Sequence, residues 1–179
     1  MRTAALFALS ALVLGLAACT TTAPEPAEPV RITLERGVCF GFCPDYEVTI
    51  TGDGQVSYNG RRFVRVSGEQ HGAAAPADVA HLVNMIDAAH FFDLKDAYRG
   101  AVTDLPTYRV TFQRGDQTKT VTDYAGEMAG MPHAVREIEA EIDRVANTDQ
   151  WVKNADGTYT RKPGGASSRR SRSSLSLAV

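Results

Sequence analysis

The sequence lacks every motif that would name a reaction. Its 179 residues contain no nucleophile elbow, no phosphate-binding loop and no metal ligands at a recognised spacing, and its four histidines are scattered. We therefore expect a protein that is not an enzyme and that holds no cofactor and no metal. The sequence leaves its molecular activity open.

A hydrophobic run long enough to cross a bilayer is also missing. The apolar stretch from Ala4 to Leu16 falls short of the roughly 20 residues that a membrane-spanning helix needs. Because Arg2 precedes this stretch and two alanines follow it, the pattern predicts a signal peptide over residues 1–18.

The end of this stretch, Leu16-Ala17-Ala18-Cys19, resembles the lipobox of bacterial lipoproteins. The resemblance implies cleavage before Cys19 and acyl chains on that residue, which would anchor the protein stably. It also implies the periplasmic side of the outer membrane, since Thr20 rather than Asp follows. The alternative is an ordinary secretory signal with a chance cysteine. Export excludes nucleic acid and leaves the membrane, an envelope protein or an envelope polymer as partners.

Composition divides the remaining chain into three parts. Residues 19–30 are rich in proline and polar side chains, which predicts a flexible tether. Residues 31–151 are predicted to form a single domain, and from Cys19 to Trp151 20 acidic residues outnumber 12 basic ones, a net charge of −8. In residues 152–179 six basic residues face one acid, a net charge of +5. We expect a mostly disordered tail there, which either contacts anionic lipid headgroups or envelope polymers or serves only solubility.

Apolar and polar residues alternate from Arg31 to Val66, which predicts strands with one buried face. The turn signals between these strands are Gly52-Asp53-Gly54 and Asn59-Gly60, and the second of them predicts a two-residue hairpin. Another pair of strands flanks Arg114-Gly115-Asp116. Because the connections are short, neighbouring strands must pair antiparallel.

Two amphipathic helices are predicted from apolar residues at spacings of three and four. The first begins at Pro76, and the second begins near Pro132 and ends before Asn147. The second helix carries four carboxylates that we interpret as a solvated face: Glu137, Glu139, Glu141 and Asp143. We predict an α+β domain in the order β-β-β-β-α-β-β-α, in which both helices pack on one face of an antiparallel sheet of five to six strands.

Two cysteines four positions apart, Cys39 and Cys43, occupy the least generic segment of the chain. If Cys19 is lipidated, they remain as a pair in an oxidising compartment, which favours a disulfide. An extended chain would separate their Cα atoms by about 13 Å, whereas a disulfide needs roughly 4.4–6.8 Å. We therefore expect a curl with Gly41 at the bend. Redox-active thiols, a soft-metal site for Cu(I) or Zn, and free thiols remain alternatives.

The same segment offers a candidate binding surface that consists of Phe40, Phe42, Pro44 and Tyr46. In a constrained turn, such side chains either fill the core or project outward to a partner. The leading hypothesis is a lipid-anchored, non-enzymatic binding module of the cell envelope. The alternative is a thiol-redox or soft-metal periplasmic protein that acts through Cys39 and Cys43.

Several short motifs resemble a bacterial family of domains of unknown function. They include Gly37-Val-Cys-Phe-Gly-Phe-Cys-Pro-Asp-Tyr46, Gly52-Asp-Gly54, Phe91-Phe-Asp-Leu94, Asp104-Leu-Pro-Thr107 and Asp123-Tyr124. The resemblance spans about residues 31–151 and implies an exported or lipid-anchored protein. It implies no catalytic residues, because no activity is established for the family.

Overall fold

The computed structural model describes residues 28–161. The predicted signal peptide, the lipidation candidate Cys19, most of the tether and the tail from residue 162 onward lie outside the described residues.

Seven strands within this range form one mixed sheet. They are β1 (Val30–Arg36), β2 (Asp45–Thr51), β3 (Gln55–Arg62), β4 (Gly68–Ala73), β5 (Ala97–Arg99), β6 (Tyr108–Arg114) and β7 (Gln117–Tyr124). Their order across the sheet is β4-β3-β2-β1-β6-β7-β5. Every neighbouring pair is antiparallel except β5 and β7, which are parallel.

The helices are α1 (Pro76–Ala88), α2 (His133–Ala146) and the single turn α3 (Asp149–Val152). The strands alternate as predicted, and their inward residues, such as Ile32 and Val48, form one core with Leu82 of α1 and Ile138 of α2. The two long helices lie side by side, and Arg144 of α2 donates a hydrogen bond to Asp78 of α1 at 2.7 Å. The opposite face of the sheet is polar.

The α+β class, the start of α1 at Pro76 and the end of α2 before Asn147 are confirmed. The predicted count of five to six strands is wrong, because the sheet has seven, and the predicted order omits β5 and α3. Strand β5 is three residues long and buries only Tyr98, so it carries no periodic pattern. It also makes the sheet mixed, since it pairs parallel to β7.

The predicted hairpin at Asn59-Gly60 is wrong. Both residues lie inside β3, where Gly60 is paired with Tyr46 on one side and with Gly68 on the other. A Cβ on Gly60 would clash with the carbonyl oxygen of Val66, so glycine is needed there because another part of the backbone approaches closely. The chain turns instead over residues 63–67.

Candidate functional site

Four connections, at residues 37–44, 63–67, 100–107 and 125–132, lie at the same end of the sheet. Antiparallel neighbours alternate in direction across the sheet, so in the order β3-β2-β1-β6-β7 every second strand, β3, β1 and β7, runs the same way. Strand β5 is parallel to β7 and therefore runs in this direction too. The last residues of these four strands therefore share one edge, which we call the loop end. The chain enters β1 at the opposite end.

The connection between β1 and β2 is closed by a disulfide between Cys39 and Cys43, as the leading interpretation predicts. Their Cα atoms are 5.6 Å apart, so the segment curls. Gly41 lies at the bend, and its N–H donates a hydrogen bond to the carbonyl oxygen of Cys39 at 2.9 Å. Its φ is not positive, however, and a Cβ at this position would lie at an ordinary 3.6 Å from Cys39 Sγ. The bend does not require glycine.

The glycine that this loop needs is Gly37. Its N–H donates to the carbonyl oxygen of Thr107 at 2.8 Å, and a Cβ would lie only 2.9 Å from that same oxygen. The N–H of Phe40 also donates to the carbonyl oxygen of Asp104, at 3.3 Å. These two hydrogen bonds attach the disulfide loop to the connection before β6.

The two phenylalanines of the disulfide loop project outward. Phe40 is 88% exposed and Phe42 is 55% exposed, whereas Pro44 is half-buried. The ring of Phe42 meets the ring of Phe63 edge to face, with their centres 5.5 Å apart. Phe63 has a φ of 55°, which is unusual for a bulky residue and places it at the turn after β3.

Tyr46 does not belong to the candidate surface, because it is only 3% exposed. Its hydroxyl donates a hydrogen bond to Asp143 Oδ1 at 2.7 Å, and Arg36 Nη2 lies 2.6 Å from Asp143 Oδ2. Burial and the charge of Asp143 raise the pKa of Tyr46 well above its ordinary value. Tyr46 therefore helps to hold β1, β2 and α2 together.

The loop end also gathers the exposed apolar side chains. Within residues 28–161, every large apolar side chain that is exposed lies in one of its connections or in the segment after α3 that packs beside them. We call this set the apolar rim, and it consists of Val38, Phe40, Phe42, Leu105, Met128 and Tyr159. The sequence pointed to two of its members, Phe40 and Phe42.

A cavity of about 720 Å³ opens beside the disulfide. One wall comes from the disulfide loop and the other from the segment after α3. The residues that line this loop cavity are Phe42, Cys43, Pro44, Thr158, Tyr159 and Arg161. A second cavity, of about 840 Å³, lies at the opposite end of the sheet beside α1, and none of the predicted site residues within the described range lines it.

A buried pair of carboxylates, Asp123 and Glu139, lies between β7 and α2. Each is 2% exposed, and Arg136 Nη1 lies 3.1 Å from Asp123 Oδ2 and 3.2 Å from Glu139 Oε2. Glu139 Oε1 has no hydrogen-bond partner in the described part of the chain. Burial and the charge of Asp123 raise the pKa of Glu139 to about 7.

The interpretation of Glu139 as part of a solvated helix face is therefore wrong. Glu139 directly follows Ile138 and precedes Ile142 by three residues, and both isoleucines are buried on the apolar face of α2. Because residues three apart lie on the same side of a helix, this spacing could have identified Glu139 as buried. Glu141 and Asp143 are half-buried, with 14% and 21% of their side chains exposed, so that of the four carboxylates only Glu137 is exposed as expected.

In residues 28–161, no group of three or more histidine, cysteine, aspartate and glutamate side chains is placed to hold a metal ion. No helix in the same range has the length and apolar character to cross a membrane.

Comparison with protein families assigns the chain to a family. No curated protein matches the chain. A family model described as a domain of unknown function, DUF6438, matches residues 30–146. Because the match covers more than half of the 179 residues, the chain belongs to the DUF6438 family of domains of unknown function.

Proposed function

We propose that this chain is a non-enzymatic binding module of the bacterial cell envelope, and that it binds a partner through the apolar rim. The observation that carries this proposal is the concentration of exposed large apolar side chains at the loop end. Exposed apolar patches cost solvation free energy, and in soluble domains they commonly mark interaction sites. The disulfide restricts the loop that presents Phe40 and Phe42, so less conformational entropy is lost on binding.

The proposal includes a lipid anchor on Cys19 that holds the domain at the periplasmic face of the outer membrane. Strand β1 has seven residues and spans about 23 Å at 3.3 Å per residue. Since the chain enters β1 at the end opposite the apolar rim, the tether is attached far from the rim. A membrane-held domain thus keeps the rim free for a partner.

Partner capture from envelope extract tests the binding surface. We expect Phe40→Ala combined with Phe42→Ala to remove partners that the unmodified chain retains. Arg31→Ala is the control, because Arg31 is exposed on β1 at the opposite end of the sheet. Identical partner sets for the unmodified chain and the double phenylalanine variant would reject the rim as the binding surface.

The anchor is tested separately by Cys19→Ser. We expect this variant to leave the membrane fraction, and we expect the mass of the unmodified mature chain to include acyl chains on Cys19. A mature chain without acyl mass, or a Cys19→Ser variant that stays in the membrane fraction, would contradict the anchor.

The alternative function is thiol-redox or soft-metal chemistry at Cys39 and Cys43. The observation in its favour is that both cysteines are only half-buried, in a loop with exposed neighbours. Alkylation of the native protein distinguishes the two functions, because a redox pair exchanges readily with small thiols whereas a structural disulfide resists until the chain is unfolded and reduced. Stoichiometric copper or zinc after anaerobic purification would favour the soft-metal function.

A further inference from the structure

We propose that the loop cavity binds an acidic peptide segment of a partner protein, with an apolar side chain between Phe42 and Tyr159 and a carboxylate at Arg161. This inference rests on the proposed binding function and narrows its partner from an unspecified envelope component to a class of peptide.

The two aromatic walls of the cavity remain accessible. Phe42 is 55% exposed and Tyr159 is 51% exposed, and both line the cavity together with the half-buried Pro44. Phe63 supports the ring of Phe42 from one side at a centre-to-centre distance of 5.5 Å, which leaves other parts of that ring open. Aromatic rings held in this way bury apolar side chains of a partner with little loss of conformational entropy.

The second wall is attached to the domain by backbone contacts. Tyr159 forms an isolated antiparallel bridge with Lys153. The preceding residues are held by the turn after β3, since the N–H of Val66 donates to the carbonyl oxygen of Trp151 at 2.8 Å. Trp151 itself is buried and stacks on Tyr58, with ring centres 4.9 Å apart. The cavity is therefore bounded by two supported segments.

The charge at the cavity favours an anionic group. Among the described residues, no aspartate or glutamate lines it, and the guanidinium of Arg161 lies 5.8 Å from the centre of the Phe42 ring. In residues 28–161, neither Arg161 nor the exposed Arg65 of the neighbouring turn has a carboxylate within ion-pair distance. The rest of the domain carries a net charge of −8 from Cys19 to Trp151. Arg65 Nε donates a hydrogen bond to the carbonyl oxygen of Lys153 at 2.9 Å, so Arg161 is the cavity residue whose guanidinium is complementary to a carboxylate of a ligand.

Half of the cavity lies outside the matched family domain. Thr158, Tyr159 and Arg161 follow residue 146, where the family match ends. The specificity that we propose therefore depends in part on residues that lie beyond the matched family domain.

Three capped pentapeptides test the proposal on the purified full chain: Ala-Glu-Phe-Glu-Ala, Ala-Gln-Phe-Gln-Ala and Ala-Glu-Ala-Glu-Ala. Binding is measured by the shifts of backbone amide NMR signals. We expect the first peptide to bind about 10-fold more tightly than either of the others, which corresponds to 1.4 kcal/mol. We also expect its shifts to concentrate at Phe42, Cys43 and residues 158–161, because Pro44 has no amide proton, and its affinity to fall as salt is added.

Charge reversal provides the matched control. Arg161→Glu should remove the preference for the acidic peptide, whereas Arg31→Glu at the opposite end of the sheet should leave it unchanged. Equal affinity for the acidic and the neutral peptide, or shifts outside the cavity, would overturn the proposal. Binding that depends on Arg161 but occurs only with phosphatidylglycerol vesicles would also overturn it and would identify a membrane surface instead.

The partner-capture experiment separates the two proposals. If the double phenylalanine variant loses its partners while the peptides show no preference for acidic residues, the rim binds but the peptide class is wrong. If the double variant keeps every partner, the proposed binding function itself is wrong.

Discussion

Glu139 is a buried acid that titrates near neutral pH. Its pKa is raised from the ordinary 4.5 to about 7, so the folded state favours the neutral form. This preference for the neutral form adds to the free energy of unfolding. The contribution is present in full below pH 4.5 and is lost as the pH rises through about 7. The difference between the pKa values of 4.5 and about 7 corresponds to a contribution of about 3 kcal/mol to the free energy of unfolding.

We therefore expect Glu139→Gln, which cannot ionise, to flatten the fall in the free energy of unfolding of the unmodified chain between pH 4.5 and about 7. Urea denaturation across this range measures the effect. Glu137→Gln is the control, since Glu137 lies on the same helix with 58% of its side chain exposed. A Glu139→Gln variant with the pH dependence of the unmodified chain would show that Glu139 is not the titrating group.

The glycines of the disulfide loop give a second test at single positions. Gly37→Ala should destabilise the domain by about 1–3 kcal/mol, because its Cβ would be forced against the carbonyl oxygen of Thr107. Gly41→Ala should cost less, since space is available and φ is not positive. Denaturation of both variants checks the order, and a larger loss for Gly41→Ala would contradict it.

For single residues of the disulfide loop, the sequence predicted bonds within the loop but did not predict contacts with distant residues. It favoured a bond between Cys39 and Cys43, because lipidation of Cys19 would leave them as the remaining pair in an oxidising compartment, and the structure has this bond. It assigned the bend to Gly41 and overlooked Gly37, because the neighbour of Gly37 is Thr107, 70 positions away along the chain. Local patterns contain no information on such contacts.

Among the structural elements, the disulfide loop is held both by its covalent bond and by backbone hydrogen bonds to the connection before β6. Replacing Cys39 and Cys43 together with serine should cost about 2 kcal/mol, since the bond closes only a short loop. The sheet and helices should remain folded, with spectral changes confined to residues 37–44 and their neighbours. Thermal denaturation and amide NMR spectra measure both effects, and global unfolding would contradict this limited role.

The errors in the predicted elements have a common physical cause. Asn59-Gly60 has the residue types of a tight turn, but β2 and β4 flank it on both sides and provide partners that extend β3 through it. Strand β5 exists because the edge of β7 is available for pairing, and its own three residues carry no periodic signal. In both places, tertiary pairing outweighs local preference.

At the scale of the whole molecule, the folded unit continues past the matched family domain. The match ends at residue 146, yet Trp151 is 6% exposed and stacks on Tyr58, and Val152 is also buried. Trp151→Ala should therefore lower the free energy of unfolding by about 3–5 kcal/mol. It should also weaken binding at the loop cavity, because Trp151 supports the wall that contains Tyr159.

Trp151→Phe is the matched variant, because it retains an aromatic ring against Tyr58. We expect it to lose less stability than Trp151→Ala in chemical denaturation. A Trp151→Ala variant as stable as the unmodified chain would mean that the ring of Trp151 does not stabilise the core.

Local sequence patterns specify the α+β class, both long helices and most of the strands, and they favour the bond between the two cysteines. These features depend on side-chain periodicity, turn residues and short chain geometry, which are local. Packing between distant segments buries Tyr46 while Phe40 and Phe42 stay exposed, places Glu139 beside Asp123, and lets the segment 158–161 complete a cavity with the disulfide loop. Each of these outcomes depends on contacts between residues far apart in the chain, because burial and charge pairing arise only when distant elements pack together.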